Sequence, residues 1–276
     1  MDLEDFLRKG EEHEQEAFRS DISKENKEIQ LGLAAANFLS EIENNPSSTI
    51  GFIKLANTLL NLGNYNEALE YVDELIDFET MGGFAIHLRG TIYLHMKRYQ
   101  DAVDDYTTVI DSNSEPVLAC DAYTNRASAL SELGMFDEAL EDLTSAINLR
   151  PGNIDAYLVR GGIFNKSGKL RDAIADFEKA IKINPDNPVS YTHIGDTRNL
   201  LGESDEAVRN YKEVLKLVED KPIEQRQARE YYCAIRAKRG LFSLGINLKD
   251  IGIHTDYESE SLKREKLTQQ QIDNMI

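Results

Sequence analysis

Residues 157–187 read YLVRGGIFNKSGKLRDAIADFEKAIKINPDN, and the fold can be inferred outward from them. The stretch holds two segments whose apolar residues recur at the three- and four-residue spacing of an amphipathic helix. Gly168 lies between the segments, where a helix commonly ends on a residue with positive φ. Asn184 and Pro185 follow the second segment, and proline cannot donate the hydrogen bond that would continue a helix. The stretch therefore predicts a helical hairpin.

The same hairpin recurs along the chain at a regular interval. The motif at 168–174, Gly-Lys-Leu-Arg-Asp-Ala-Ile, has counterparts at 63–69, 97–103, 134–140 and 202–208. All five copies share one alanine, and successive alanines are 34, 37, 34 and 34 residues apart. These alanines are Ala68, Ala102, Ala139, Ala173 and Ala207. A fixed period of this size indicates stacked repeats.

This pattern resembles the tetratricopeptide repeat. With the shared alanine numbered as position 20, position 8 is small and position 24 is apolar or aromatic in each unit. The small residues are Ala56, Gly90, Ala127, Gly161 and Gly195. Their larger counterparts are Val72, Tyr106, Leu143, Phe177 and Tyr211. The family's characteristic Trp is absent, but the resemblance covers residues 49–220. It implies an all-α fold, a right-handed superhelical α-solenoid of five helix-turn-helix repeats.

Residues 1–48 are expected to hold N-terminal helices with a degenerate, capping repeat. Ala34 and Phe38 take positions 20 and 24, but the normally small position 8 is Ile22. The first helix of this unit is expected at about residues 15–28, and it is polar. A polar outer face suits a terminal repeat, because that face meets water.

Residues 221–276 are expected to form a C-terminal capping helix and a polar tail. The helix is predicted at 224–244, where arginine and lysine are frequent. A further polar helix is predicted at 259–275. Within the repeats, the single 37-residue interval predicts a longer loop at 112–118.

The composition restricts the class of partner and the compartment. The chain has 276 residues, with 49 acidic and 31 basic side chains and a formal net charge of -18. Such a charge disfavours nucleic acid and anionic membranes, because both repel it. No apolar stretch approaches the ~18 residues of a membrane span. Two distant cysteines and an acidic N-terminal segment favour a cytoplasmic protein over a secreted one.

No motif for catalysis or metal binding is found in the sequence. The five histidines form no metal-ligand pattern, and Cys120 and Cys233 lie beside no base that would activate them. Carboxylates recur at equivalent positions of every second helix, which indicates a solvated face rather than a unique acid–base pair. We therefore expect a protein that is not an enzyme and has no cofactor.

Arginine and aspartate occur together in three units. Position 7 is arginine and position 23 is aspartate in these units, and neither is present in the first and fifth repeats. The pairs are Arg89 with Asp105, Arg126 with Asp142, and Arg160 with Asp176. This joint occurrence predicts ion pairs that join the two helices of a unit or neighbouring units.

In the tetratricopeptide family, the first helices line an extended concave groove. The residues expected to face it here are Asn57, Asn61, His87, Thr91, Asn125, Ser128, Asp155, Asn165, His193, Asp196 and Asn199. This lining is rich in asparagine, whose amide both donates and accepts hydrogen bonds and so suits a peptide backbone. The leading hypothesis is a protein–protein interaction scaffold that binds a peptide or partner helix. That partner is expected to be basic or amphipathic, because the chain is acidic.

One specialised groove is excluded by its residues. Tetratricopeptide domains that hold the C-terminal carboxylates of heat-shock chaperones use a clamp of Lys, Asn and Arg. The one window with the required middle Asn, Asn125, has His87 and Thr91 before it and Asp155 and Val159 after it. Since Asp155 repels a carboxylate, no chaperone clamp is expected.

An alternative hypothesis is self-assembly. A repeat stack exposes both of its ends, so the N-terminal unit or the basic C-terminal helix of one copy is able to dock in the groove of another. This would make the protein a homo-oligomeric scaffold. An RNA-binding repeat is disfavoured, because its groove needs basic residues and stacking aromatic rings.

Overall fold

The computed structural model describes residues 3–18, 24–78, 81–112, 115–219, 221 and 228–246. Within them, all regular secondary structure is α-helical, which confirms the predicted fold class. The helices are α1 Leu3–Ala17, α2 Lys24–Asn44, α3 Thr49–Leu62, α4 Tyr65–Ile76, α5 Gly82–His95, α6 Tyr99–Asp111, α7 Pro116–Glu132, α8 Phe136–Leu149, α9 Ile154–Lys166, α10 Leu170–Ile183, α11 Pro188–Leu200, α12 Ser204–Glu219 and α13 Ala228–Ser243.

The chain divides into two compact units. The first comprises Met1–Ala17 and Lys27–Ile163, and the second comprises Phe18–Asn26 and Phe164–Ile276. The boundary after Ile163 falls inside α9. Most of α1 to α9 therefore belongs to the first unit, and α10 to α13 belong to the second.

The hairpin turns follow the prediction from the sequence. The predicted glycines have positive φ: Gly63, Gly134, Gly168 and Gly202. Between α5 and α6, Lys97 takes this place with φ 60°, and it is the one non-glycine residue with positive φ in the described part of the chain. The closing bond from Arg98 N to Tyr93 O is 2.9 Å long, as is its counterpart from Asn64 N to Leu59 O. The turn geometry is therefore kept where glycine is absent.

The small and large positions of each repeat pack against each other. Tyr106 is fully buried, and a Cβ atom on Gly90 would lie 3.0 Å from its ring. In the second unit, a Cβ atom on Gly195 would lie 2.8 Å from the ring of Tyr211. The shared alanines are also fully buried, since the paired helices cross there at close range.

The N-terminal hairpin differs from the expected one. Its first helix is α1, Leu3–Ala17, and not residues 15–28. The small residue is Gly10, where a Cβ atom would collide with the ring of the buried Phe38. Gly10 and Phe38 are 28 residues apart, whereas Gly90 and Tyr106 are 16 apart. Gly10 therefore takes the small position of this hairpin, and Ile22, which was expected there, lies outside the described residues.

The 37-residue interval does not produce a longer loop. Helix α6 ends at Asp111 and α7 begins at Pro116, a gap similar to those between other repeats. The extra residues instead lengthen α7, which has 17 residues where α3 and α5 have 14. Proline suits the first turn of a helix because it needs no backbone N–H there, so it starts the helix early.

Two of the predicted ion pairs are present in the first unit. The Arg89 guanidinium donates to both carboxylate oxygens of Asp105, at 2.9 and 2.8 Å. Arg126 binds Asp142 in the same way, at 2.8 and 2.7 Å, and also donates to Thr107 at 2.9 Å. Arg89 also donates to Asp73 of α4 at 3.1 Å, so each arginine joins its own hairpin and reaches the preceding one as well.

The third pair, Arg160 with Asp176, stays a prediction, since its two members belong to different units.

The basic helix α13 packs on α11 and α12 in the second unit. It spans Ala228–Ser243, residues 224–227 of the predicted helix lie outside the described ones, and Gly245 follows it with φ 75°. Its buried side consists of Cys233, Ala234, Ala237 and Leu241. A Cβ atom on Gly240 would collide with the ring of Tyr211, so α13 lies directly on that ring. The helix predicted at 259–275 lies outside the described residues.

Candidate functional site

The first helices of the hairpins carry the candidate site. Each hairpin reverses the chain, so α3, α5 and α7 run parallel to one another in the first unit. Their N-terminal turns therefore lie along one edge of the unit. Residues three and four apart on each helix share a face, which is how the predicted residues are grouped below.

His87, Thr91 and Asn125 form one hydrogen-bonded cluster with Tyr106. Asn125 Nδ2 lies 3.3 Å from His87 Nε2, and Thr91 Oγ1 lies 3.1 Å from the Tyr106 hydroxyl. The His87 ring packs on the Tyr106 ring, with 5.4 Å between centroids. Burial lowers the pKa of His87, with a smaller opposing effect from Asp121. The cluster thus joins α5, α6 and α7, and its half-buried members His87, Thr91 and Asn125 still reach the surface, whereas Tyr106 is buried.

The other predicted residues of the first unit stand apart from this cluster. Asn57 is half-buried and donates to the Ile53 carbonyl at 3.0 Å, and Asn61 is exposed at the end of α3. Ser128 lies three residues after Asn125 and donates to a backbone carbonyl. Asp155 is exposed in the first turn of α9. These side chains offer polar groups without a shared network.

The side of α3, α5 and α7 that was predicted to line the groove is called the inner face of the first unit. Its part on α3 is covered by α1. Lys54 Nζ lies 3.2 Å from Glu11 and 3.5 Å from Glu14 of α1, and Thr58 donates to Glu14 at 2.8 Å. Burial lowers the pKa of Lys54, but the carboxylates of Glu11 and Glu14 together outweigh it and hold this pKa above its ordinary value. The face of α3 that carries these two residues is therefore occupied by the protein's own N-terminal helix.

A row of exposed apolar side chains was not predicted. Ile50, Phe84 and Val117 lie in the first turns of α3, α5 and α7, and they are 56, 38 and 55% exposed. Ile50 and Phe84 are 34 residues apart and take the same position of their repeats. Because the next interval is 37 residues, the equivalent residue of α7 is Asp121, and Val117 lies one helical turn before it on the same side of the helix. The apolar residues at these places were visible in the sequence, but their exposure was not. We call Ile50, Phe84 and Val117 the apolar edge.

In the second unit, His193 and Asp196 lie beneath α13. The Asp196 carboxylate accepts a hydrogen bond from the Tyr211 hydroxyl at 2.6 Å and forms an ion pair with Arg236 of α13, also at 2.6 Å. Burial raises the pKa of Asp196, with Arg236 opposing it. The His193 ring stacks on Phe177, with 5.2 Å between centroids. These two residues contact their own chain rather than an open surface.

The remaining predicted residues of the second unit are Asn165 and Asn199, both half-buried. Asn165 Nδ2 donates to Thr197 Oγ1 at 2.7 Å. Its Oδ1 atom is buried and has no hydrogen-bond partner in the described part of the chain. A buried amide oxygen without a partner is costly, so this atom is suited to accept a bond from a bound water or a peptide N–H.

Because the His193 ring is buried, the unfolding free energy of the protein is expected to depend on pH. Burial, aided by Arg236 and Arg229, lowers the pKa of His193 from 6.5 to about 4. The folded state therefore binds fewer protons than the unfolded state, and stability present above pH 6.5 is lost as the pH falls towards 4. The loss attributable to His193 should reach about 3 kcal/mol. We expect urea unfolding of the wild type, but not of His193→Phe, to show it.

The comparison of the two proteins removes the effects of other groups. Phenylalanine keeps a ring on Phe177 and cannot be protonated, while Asp196 is present in both proteins. The difference between their unfolding free energies should therefore change steadily between pH 7 and pH 4. A difference that stays constant over this range would contradict the buried, neutral state of His193.

Among the described residues, no group of three or more His, Cys, Asp or Glu side chains is arranged to hold a metal ion. None of the described helices is long and apolar enough to cross a membrane.

The comparisons with known proteins agree with this architecture. The family model described as "T7SS, ESX-1 secretion system protein EccA1, N-terminal domain" matches residues 31–198. The structure is similar to that of PilW, a widely conserved type IV pilus biogenesis factor. That likeness has a TM-score of 0.63 and 13% identity, and it covers 81% of this chain and 96% of that one.

Two other solved structures are also similar. A tetratricopeptide repeat protein from Parabacteroides merdae has a TM-score of 0.57 and 16% identity, covering 95% of this chain and 98% of that one. PilF from Pseudomonas aeruginosa has a TM-score of 0.58 and 13% identity, covering 81% and 95%. At identities this low, the likeness shows the fold alone.

Proposed function

The chain belongs to the family of the EccA1 N-terminal domain and is a tetratricopeptide-repeat protein, and on this premise we propose that it is a non-enzymatic scaffold. It binds a basic, amphipathic peptide segment of another protein on the inner face of its first unit. The apolar edge carries this proposal. Exposed Ile50, Phe84 and Val117 recur on three parallel helices beside polar residues able to bind a peptide backbone.

The polar residues of this face bind the peptide backbone, and the apolar residues bind its side chains. Asn57, Asn125 and Ser128 offer amide and hydroxyl groups to a backbone of any sequence. The apolar edge receives side chains, and burial of each one contributes about 1.5–3 kcal/mol. Packed helices lie about 8–10 Å apart, and an extended chain covers this distance in about three residues. The partner segment is therefore expected to carry an apolar side chain at about every third residue.

The charge of the second helices favours a basic partner. Helices α4, α6 and α8 carry four acidic side chains each and neither lysine nor arginine. Asp105 and Asp142 are neutralised by arginines of α5 and α7, but most of the others are exposed. Such a field accelerates the approach of a positively charged segment. The free, buried thiols of Cys120 and Cys233 fit the reducing, cytoplasmic compartment that we also propose.

A peptide selection tests this function. A random peptide-display library would be selected on the immobilised full chain, and the winning peptide would be synthesised and titrated. We expect a basic peptide with regularly spaced apolar residues. Phe84→Asp should weaken its binding at least tenfold, because it places a charge on the apolar edge. Asn125→Ala should weaken it less, because only backbone hydrogen bonds are lost.

The matched control is Glu70→Lys, an exposed charge change on the second helix α4. It should lower the association rate at low salt and leave the dissociation rate unchanged, as expected for steering alone. If Glu70→Lys abolishes binding while Phe84→Asp does not, the binding surface is the acidic second helices and not the inner face.

A further inference from the structure

The residue type at one repeat position changes along the first unit. Ile50 and Phe84 take position 2 of their repeats, counted with the shared alanine at position 20, and the next two repeats have Asp121 and Asp155 there. All four residues belong to the first unit and lie near the starts of α3, α5, α7 and α9. Equivalent positions of stacked repeats form a row. This row is therefore apolar on α3 and α5 and acidic on α7 and α9.

The place of Asp121 is not explained by helix capping. An acidic side chain in the first turn stabilises a helix through its dipole, and Asp155 is such a residue in α9. Asp121 lies beyond the first turn of α7, and its side chain is 46% exposed. Burial lowers the pKa of His87 on α5, and the Asp121 carboxylate opposes this effect, so its charge is felt on the neighbouring first helix. Asp121 therefore adds a negative charge to the inner face.

Val117 and Asp121 together fit a long basic side chain. They lie one turn apart on the same side of α7, about 6 Å along the helix axis. Val117 is exposed. Lysine and arginine pack their apolar stems on such surface and keep the charged end group in water. The stem of a bound basic residue therefore suits Val117, and its end group suits Asp121.

The protein itself places one guanidinium at this carboxylate. Arg150 follows α8, and its Nη1 atom lies 3.5 Å from Oδ1 of Asp121. Charge-assisted hydrogen bonds are usually about 2.7–2.9 Å long, so this contact is loose, and the Arg150 side chain is 43% exposed. By contrast, Arg126 lies 2.7 Å from the buried Asp142. A cation from outside is therefore able to displace Arg150 from Asp121.

We propose that Val117 and Asp121 select a lysine or arginine of the bound segment and that this contact fixes the orientation of the segment. The inference rests on the proposed function, because it concerns the same inner face. Apolar side chains of the segment then lie on Ile50 and Phe84. Neighbouring helices are about 8–10 Å apart, so the basic residue is expected about three residues beyond the one on Phe84. A segment turned end for end would place an apolar side chain on Asp121.

Titration of the full chain with the peptide selected on it is the first test. The peptide is expected to carry lysine or arginine about three residues to one side of two apolar residues. Replacing this basic residue with glutamine should weaken binding to the wild type about fivefold, the upper range for an exposed ion pair. The same replacement should not alter binding to Asp121→Asn, because the complementary charge is absent there. Asp104→Asn is the control, since Asp104 is exposed on α6, and this variant should respond as the wild type does.

Arg150→Ala should change the affinity in the opposite direction. It removes the protein's own cation from Asp121, so the selected peptide should bind about twofold more tightly and dissociate more slowly. Arg98→Ala is the matched control. It removes an exposed guanidinium of the same unit, which pairs with Asp101 at 2.8 Å, and should leave the dissociation rate unchanged. Equal effects of the two variants would show that net charge, and not the release of Asp121, strengthens binding.

The outcomes separate this inference from the proposed function. If Phe84→Asp abolishes binding while Asp121→Asn responds to the glutamine replacement as the wild type does, the inner face binds the peptide but Asp121 does not select its cation. Selected peptides without a basic residue at the expected place lead to the same conclusion. If neither Phe84→Asp nor Asp121→Asn alters binding, or if no peptide is selected, both proposals are overturned.

Discussion

Ending the chain at Lys221, which removes α13, is expected to destabilise the second unit by about 5 kcal/mol. The reason is that α13 covers Tyr211 and buries Leu241, Ala237 and Cys233, and full burial of one large apolar side chain is worth about 1.5–3 kcal/mol. The loss is comparable with the whole stability of many domains. We expect lower helicity and aggregation, measured by circular dichroism during thermal unfolding and by light scattering.

A chain ending at Ile246 is the matched control, because it keeps α13 and loses only residues 247–276. The chain ending at Lys221 should unfold at a lower temperature than this control. The two truncations also separate a cap from an inhibitory plug. If the chain ending at Lys221 stays folded and captures the selected peptide more tightly, α13 is a plug, and its packing against α11 and α12 contributes little to stability.

Replacing Arg126 with leucine should destabilise the first unit by about 3–5 kcal/mol. The change removes the two hydrogen bonds to Asp142 and leaves this carboxylate, whose side chain is 8% exposed, without a cation. Removing one member of a buried ion pair costs this much because the remaining charge stays out of water. Urea unfolding at pH 7 measures the effect.

The double variant Arg126→Leu/Asp142→Leu should recover most of the lost stability, since two apolar side chains then fill the space without a buried charge. Arg98→Leu is the control. Its pair with Asp101 is exposed, and screened surface pairs seldom contribute measurably, so no change is expected there. An equal effect of Arg98→Leu and Arg126→Leu would show that burial of the pair is not the cause.

The local rules of the sequence predicted most of the hairpins. Glycines at 63, 134, 168 and 202 marked the turns, and the period of the alanines gave the pairing of helices. The predictions from the sequence were wrong where a hairpin has extra residues. A fixed period carried backwards from Ala68 placed the first helix at 15–28, whereas the contact between Gly10 and Phe38 places it at Leu3–Ala17.

For the candidate site, the residue types were easier to predict than their surroundings. His87 and Asn125 were both expected on the inner face, but their mutual hydrogen bond depends on the distance between α5 and α7. His193 and Asp196 were expected to face a partner, yet α13 covers them. A repeat pattern describes one hairpin at a time, so it does not show which surfaces the two ends of the chain cover.

The sequence by itself determined the helical hairpin, its period, and the pairing of arginine with aspartate, because each depends on residues within one repeat or its neighbour. Only the tertiary structure decided which apolar residues stay exposed, as Ile50, Phe84 and Val117 do, and which polar residues are covered. Exposure depends on residues that are far apart along the chain and meet only when α1 packs on α3 and α13 packs on α11. That long-range packing is a property of the folded molecule, and no local pattern contains it.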